Sequence, residues 1–153
     1  MSFYDYRDEV YAYVAAALRR YRSDITVGSI LEPDHASFPV AFCYEIGSRR
    51  IEQYVNLGYT DEQCESTFEI QVASNALNGA ATEANGILDA ADAAMNDCGY
   101  IRYSRARIDN ADRRVFRVYA RYRRVIGGAD AIPVFEYTQP SEQDEEANNE
   151  QSQ

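Results

Sequence analysis

Side chains capable of covalent or metal chemistry are few and scattered along this chain. The single histidine, His35, stands beside Asp34, and three cysteines, Cys43, Cys64 and Cys98, are far apart with no Cys-x-x-Cys pair. A transition-metal site or a His-based triad needs a second histidine or a paired cysteine, so neither is expected. An odd set of widely spaced cysteines reads as buried, reduced thiols. Glu45 and Glu69 fall on expected strands, and a pair of carboxylates is what general acid–base work requires. Charged strand positions, however, far more often simply face water. No Gly-rich phosphate loop and no nucleophile elbow is present. The chain is therefore read as non-enzymatic, with no catalytic residue, metal ligand or cofactor assigned.

The informative residues are arginines and tyrosines. All 15 basic side chains are arginine, and the net charge is −10. That average conceals segregation. Residues 1–100 carry 16 acids and 6 arginines, residues 101–124 carry 9 arginines and 2 acids, and residues 125–153 carry 7 acids and no base. Arginine's planar fork suits bidentate pairing and stacking at interfaces, whereas lysine mostly solubilises. The overall acidity argues against nucleic acid as the main partner.

The elements that must hold these residues can be read in order. Residues 3–22 form a helix, with Ser2 as N-cap, Val10, Val14, Leu18 and Tyr21 as its apolar stripe, and Arg19, Arg20 and Arg22 in its last turn. Ile25 to Leu31 is a weaker strand interrupted by Gly28, and Val40–Ile46 is an apolar run bounded by Pro39 and Gly47, hence a mostly buried strand. Residues 47–63 read as a charged hairpin or loop with a short strand near Tyr54–Leu57. Residues 64–73 alternate, with Phe68, Ile70 and Val72 on one side and Glu65, Glu69 and Gln71 on the other. Asn75, Asn78 and Gly79 supply a cap. Residues 79–97 then form a second helix with Ala80, Ala84, Ile87, Leu88, Ala91 and Met95 on one face and Gly99 just past its end.

Strands at 100–108 and 113–126 follow, joined by Asp109-Asn110-Ala111-Asp112, a linker of turn residues at hairpin length. A simple register sets 105 opposite 116 and 101 opposite 120. One face then carries Ile101, Tyr103, Phe116, Val118 and Ala120, and the other Tyr100, Arg102, Arg113, Arg117, Tyr119, Arg121 and Arg123. A bulge shifts that assignment on one strand. The order of elements predicts an α+β fold, an antiparallel or mixed sheet of about four to five strands with both helices on one face. Residues 1–133 read as one domain. Residues 134–153, with an acidic run from Pro140 that has nothing to bury, read as a largely disordered extension. No membrane span and no signal peptide is readable.

The arginine–tyrosine face admits two main readings, a solvated strand surface or a protein-binding surface in which Tyr and Arg act as anchors. Nucleic-acid stacking is a third. The acidic remainder of the molecule repels a polyanion and complements a neighbouring copy's arginines. That is the logic of a heterologous contact that closes into a ring.

Four segments carry a resemblance: Ser37–Ile46 (SFPVAFCYEI), Phe68–Asn75 (FEIQVASN), Gly99–Arg102 (GYIR) and Val115–Ile126 (VFRVYARYRRVI). In order and spacing, over about residues 3–127, the chain resembles the tail terminator, or tail completion, proteins of long-tailed bacteriophages. The resemblance implies a structural virion protein at the head-proximal end of the tail. Its copies would form a hexameric ring that caps the tail tube, ends its polymerisation and joins the head–tail connector, with DNA passing the lumen without specific binding. The acidic extension after Pro133 departs from that pattern. Alternatives are a neck or head–tail adaptor protein and a monomeric protein-binding module.

Overall fold

The computed structural model describes residues 6–31, 37–50, 64–109, 112–127, 132–133 and 135. Within them run α1 (Tyr6–Tyr21), β1 (Thr26–Gly28), β2 (Val40–Arg50), β3 (Cys64–Ser74), α2 (Ala80–Asp97), β4 (Ile101–Ile108) and β5 (Phe116–Ile126). Ser2, the Asp34–His35 pair, the Tyr54–Leu57 stretch and the acidic run after Pro140 lie outside the described residues.

The strands form one open sheet in the order β1-β2-β3-β5-β4. β1 pairs parallel with β2, and the other pairings are antiparallel. The sheet is therefore mixed and the fold α+β, as expected. Strand β3 explains why the sheet has an inside. Its alternation places Cys64, Ser66, Phe68, Ile70 and Val72 on one face, all buried. Cross-strand partners carry that face outward from the centre, through Ala41 and Cys43 on β2 and Val118, Ala120 and Tyr122 on β5.

Both helices cover this face. Val10, Val14 and Leu18 of α1 and Ala84, Ile87, Leu88 and Ala91 of α2 are fully buried in the same core. Each large aliphatic side chain so buried contributes about 1.5–3 kcal/mol. The small residues of α2 let it lie close to the strands. Tyr21, expected in the α1 stripe, is instead 56% exposed. It reaches sideways over α2, where a Cβ built on Gly86 would meet its hydroxyl at 2.9 Å.

The ends of α2 follow from local chemistry. Gly79 is its N-cap in the left-handed region (φ 76°), without the side-chain cap expected from Asn75 or Asn78. Glu83 in the first turn suits the positive end of the dipole, and it is held by Ser74 Oγ and the Arg22 guanidinium. At the other end Gly99 (φ 81°) donates to Asn96 O and Tyr100 N donates to Met95 O, both at 2.9 Å. This is a Schellman closure, and it satisfies carbonyls that the helix end would otherwise leave open.

Candidate functional site

The hairpin carrying the arginines differs from its expected register, and the difference sorts them. Ile101 lies opposite Arg123 and Arg105 opposite Ala120, with a bulge between Arg102 and Ser104. The turn is longer than four residues, because β5 begins at Phe116 rather than 113. Beyond the bulge, β4 keeps the expected facing. Before it, the facing is reversed. Ile101 and Tyr103, expected inward, are 70% and 47% exposed, while Arg102 shares the helix side with its partner Tyr122.

Tyr100 also belongs to the interior. As the residue that closes the Schellman motif it precedes β4, and its side chain turns into the core. There it is 1% exposed, meets Phe68 edge-on at 5.3 Å and donates to Ser66 Oγ at 2.9 Å. Ser66 Oγ in turn donates to Glu45 Oε2 at 2.7 Å, and Tyr6 donates to the same oxygen at 2.5 Å. Burial, first of all, raises the Tyr6 and Tyr100 hydroxyl pKa values far above the ordinary tyrosine value. Glu45 thus serves as an acceptor within a buried chain of hydroxyls. Glu69 lies on the other face of the sheet, so the two carboxylates cannot work as a catalytic pair.

On the helix side the arginines are absorbed by α2. Asp92 accepts from Arg102 Nη1 at 2.5 Å and from the Tyr122 hydroxyl. Arg105 Nη1 donates to Asp89 Oδ1 at 2.6 Å, and its Nη2 donates to Asn85 Oδ1 at 2.9 Å. Arg124 Nη1 donates to the carbonyl of Cys98 at 2.6 Å, at the negative end of the α2 dipole. Arg107 stacks over Phe116 at 5.3 Å. These four arginines serve the fold. Arg113 and Arg114 sit in the turn, where Arg114 pairs with Asp112 at 3.1 Å.

The opposite face of the sheet carries no helix among the described residues. Along β5 it presents Arg117, Tyr119, Arg121, Arg123 and Val125, since their neighbours across the strand, Val118, Ala120, Tyr122 and Ile126, point to the core. Of the seven residues expected on one surface, Arg117, Tyr119, Arg121 and Arg123 are brought into line here. Arg113 stands in the adjoining turn, and Tyr100 and Arg102 lie on the other side of the sheet.

The centre of this face is a polar network. Glu69, 7% exposed, accepts from Arg121 Nε at 3.1 Å and from the Tyr44 hydroxyl. Gln71 Nε2 donates to Tyr44 at 3.1 Å, and Arg121 stacks over Tyr119 at 5.2 Å. The carboxylate hydrogen bond raises the Arg121 pKa, and burial followed by Glu69 raises that of Tyr44. At one end of the face Val40, Phe42 and Ala73 form a small apolar cluster with Phe38 and Val115. At the other end the side chains are open. Arg123 is exposed and stacks over Tyr103 at 5.4 Å, beside exposed Ile101 and Val125. Sequence reasoning missed the contribution of Tyr44 and Gln71. Alternation through Val40–Ile46 and 64–73 places both on the Glu69 side.

The fold and site define an α+β domain whose sheet is clothed by helices on one face and, among the described residues, offers an arginine–tyrosine–aliphatic surface on the other. No described helix is long and apolar enough to cross a membrane. Neither a protein-family profile nor a curated protein matches the chain. Among solved structures, the chain is similar in shape to the sheath/tube terminator of an extracellular contractile injection system (PVC) in its extended state. The match has a TM-score of 0.45 and 10% identity, covering 87% of this chain and 61% of that one. The chain thus spans less than two thirds of that protein's length. The likeness concerns shape alone and bears on neither subunit contacts nor activity.

Proposed function

We propose that this protein is a structural component that assembles head-to-tail with copies of itself into a ring. The open sheet face, through Arg117, Tyr119 and Arg123, with Arg121 fixed among them by Glu69, is its subunit interface. In line with the resemblance of its sequence to tail terminators, the ring caps a tail tube, ends its growth and joins it to a head connector. A hexameric ring with an acidic lumen lets DNA pass without sticking. The observation that carries the reading is a sheet face with no described helix on it, where arginine and tyrosine stand in line beside exposed Ile101 and Val125. Side chains of those types, open at one end of a rigid sheet, are what interface anchors require.

The test uses Arg123, which is exposed and has a stacking contact with Tyr103. Arg123→Glu should leave the melting temperature within about 2 °C, since exposed substitutions change stability by about 0.5 kcal/mol or less. Ring formation, followed by light scattering and negative-stain microscopy, should be abolished. Normal rings from this variant refute the surface. Arg121→Glu is an unsuitable probe, because it sets a second carboxylate beside buried Glu69 and so tests the fold as well.

A further inference from the structure

We propose that Asn78–Gly79, at the start of α2, is a site of spontaneous covalent modification, where the fold leaves the Asn78 carboxamide open to conversion into aspartate and isoaspartate. The chain contains two Asn-Gly dipeptides, Asn78–Gly79 and Asn85–Gly86. In such a pair the backbone nitrogen of the glycine can attack the preceding carboxamide, because glycine has no Cβ to hinder the approach. The structure treats the two sites differently. Asn78 and Gly79 are both exposed, beside a Leu77 side chain that is 101% exposed. Gly79 caps α2 in the left-handed region (φ 76°) without a side-chain cap. Among the described residues the Asn78 carboxamide makes no hydrogen bond, and the Gly79 N–H has no acceptor.

Asn85 is held instead. It lies inside α2, so the Gly86 N–H belongs to the helix ladder. Asn85 Nδ2 donates to Ala81 O at 2.9 Å, and its Oδ1 accepts from Arg105 Nη2 at 2.9 Å. Attack there requires the ladder bond and both side-chain bonds to open first. At Asn78 none of these stands in the way. In the reaction Gly79 N gives up its proton and bonds to Asn78 Cγ, the Cγ–Nδ2 bond breaks, and Nδ2 leaves as ammonia with that proton. Water then opens the cyclic imide. Cleavage between Gly79 N and Cγ gives aspartate. Cleavage between Gly79 N and the main-chain carbonyl carbon of residue 78 gives isoaspartate, whose backbone runs through Cβ and Cγ. The added methylene stands just before Gly79, whose carbonyl accepts from Glu83 N at 2.9 Å to start the helix. Isoaspartate therefore loosens the first turn of α2. Aspartate only adds negative charge at the positive end of the dipole, where it is favoured.

The experiment incubates the full-length chain in mildly alkaline buffer and follows both dipeptides by peptide mapping with mass spectrometry, each conversion exchanging NH for O. In the folded chain Asn78 should convert at least about tenfold faster than Asn85, and in denaturing urea the two rates should agree within about twofold, because local protection is then gone. Asn78→Gln should abolish the early product, since the longer side chain must close a larger ring. Chains carrying isoaspartate at position 78 should melt below fresh protein, whereas Asn78→Asp should melt at or above it. Equal rates at the two sites in the folded chain, or faster conversion at Asn85, overturn the proposal. A difference that persists undiminished in urea also overturns it, since the fold would then have no part in the choice of site. Unchanged melting of the isoaspartyl chain overturns its assigned effect on α2.

Discussion

Arg121 and Arg123 stand two residues apart on the same strand and the same face, yet their removal should have unequal consequences. Arg121 Nε lies 3.1 Å from a Glu69 carboxylate that is 7% exposed, whereas the Arg123 side chain, among the described residues, stacks over Tyr103 of the edge strand. Removing one partner of a fully buried pair costs about 3–5 kcal/mol because a charge is stranded. The Arg121 side chain is 43% exposed, so water screens part of the pair. Tyr44 also remains as a donor to Glu69. Arg121→Ala should therefore cost about 2 kcal/mol, or roughly 4–8 °C in melting temperature for a domain of this size. Arg123→Ala should cost less than about 0.5 kcal/mol. Denaturant titrations of both variants, with Glu69→Gln completing a double-mutant cycle at Arg121, measure the coupling directly. Equal losses at the two positions, or a coupling near zero, would refute the argument that Arg121 is committed to the fold while Arg123 is available to a partner.

Other outcomes follow from the same geometry. Gly99→Ala should destabilise by about 1 kcal/mol or more, read as a fall in melting temperature, because φ is 81° and the new Cβ would sit 3.0 Å from the Arg124 guanidinium. Tyr100→Phe removes the donor to Ser66 and should cost about 1 kcal/mol in a denaturant titration, since only one hydrogen bond is lost. Burial raises the pKa values of Tyr6, Tyr44, Tyr100 and Tyr122, and it holds Tyr13 at about 12 with help from Asp97. Unfolded tyrosines ionise near pH 10, so the unfolded chain loses protons first. Stability is then fully present below pH 10 and falls as pH rises toward the folded values. Absorbance titration should show these tyrosines ionising late and together with unfolding, and early, independent ionisation counts against the burial. Cys43 and Cys98, raised chiefly by burial, the latter to about 12, should ignore a thiol reagent until denaturant is added. Rapid labelling of the native chain at either position contradicts this.

Much of the architecture was legible because period and partner agreed. Phe68, Ile70 and Val72 alternate, the face so marked is the buried one, and the apolar face of α2 falls where its spacing indicates. Strand β2 extends past Ile46 to Arg50, where the reading stopped at Gly47, because its last residues are charged or small and gain strand structure only by pairing with β3. The β4–β5 hairpin failed in part for a different reason. A bulge leaves no mark on composition, yet it reverses every side chain on one side of it, and so Ile101 and Arg102 exchanged roles. Tyr100 was misplaced because a helix-closing turn and a strand start look alike when read one residue at a time.

Composition and spacing alone determined that the chain builds an α+β domain, that residues 101–124 concentrate nine arginines, and that acid gathers after them. These follow from local periodicity and charge, which each segment carries by itself. Tertiary structure decided which arginines are spent and which are left over. Asp89 and Asp92 of α2 claim Arg105 and Arg102, Glu69 claims Arg121, and Arg123, among the described residues, stacks over Tyr103 on the open face. That division depends on register across strands and on a helix packed over them. Both are set by burying one face of the sheet, a constraint no single segment contains.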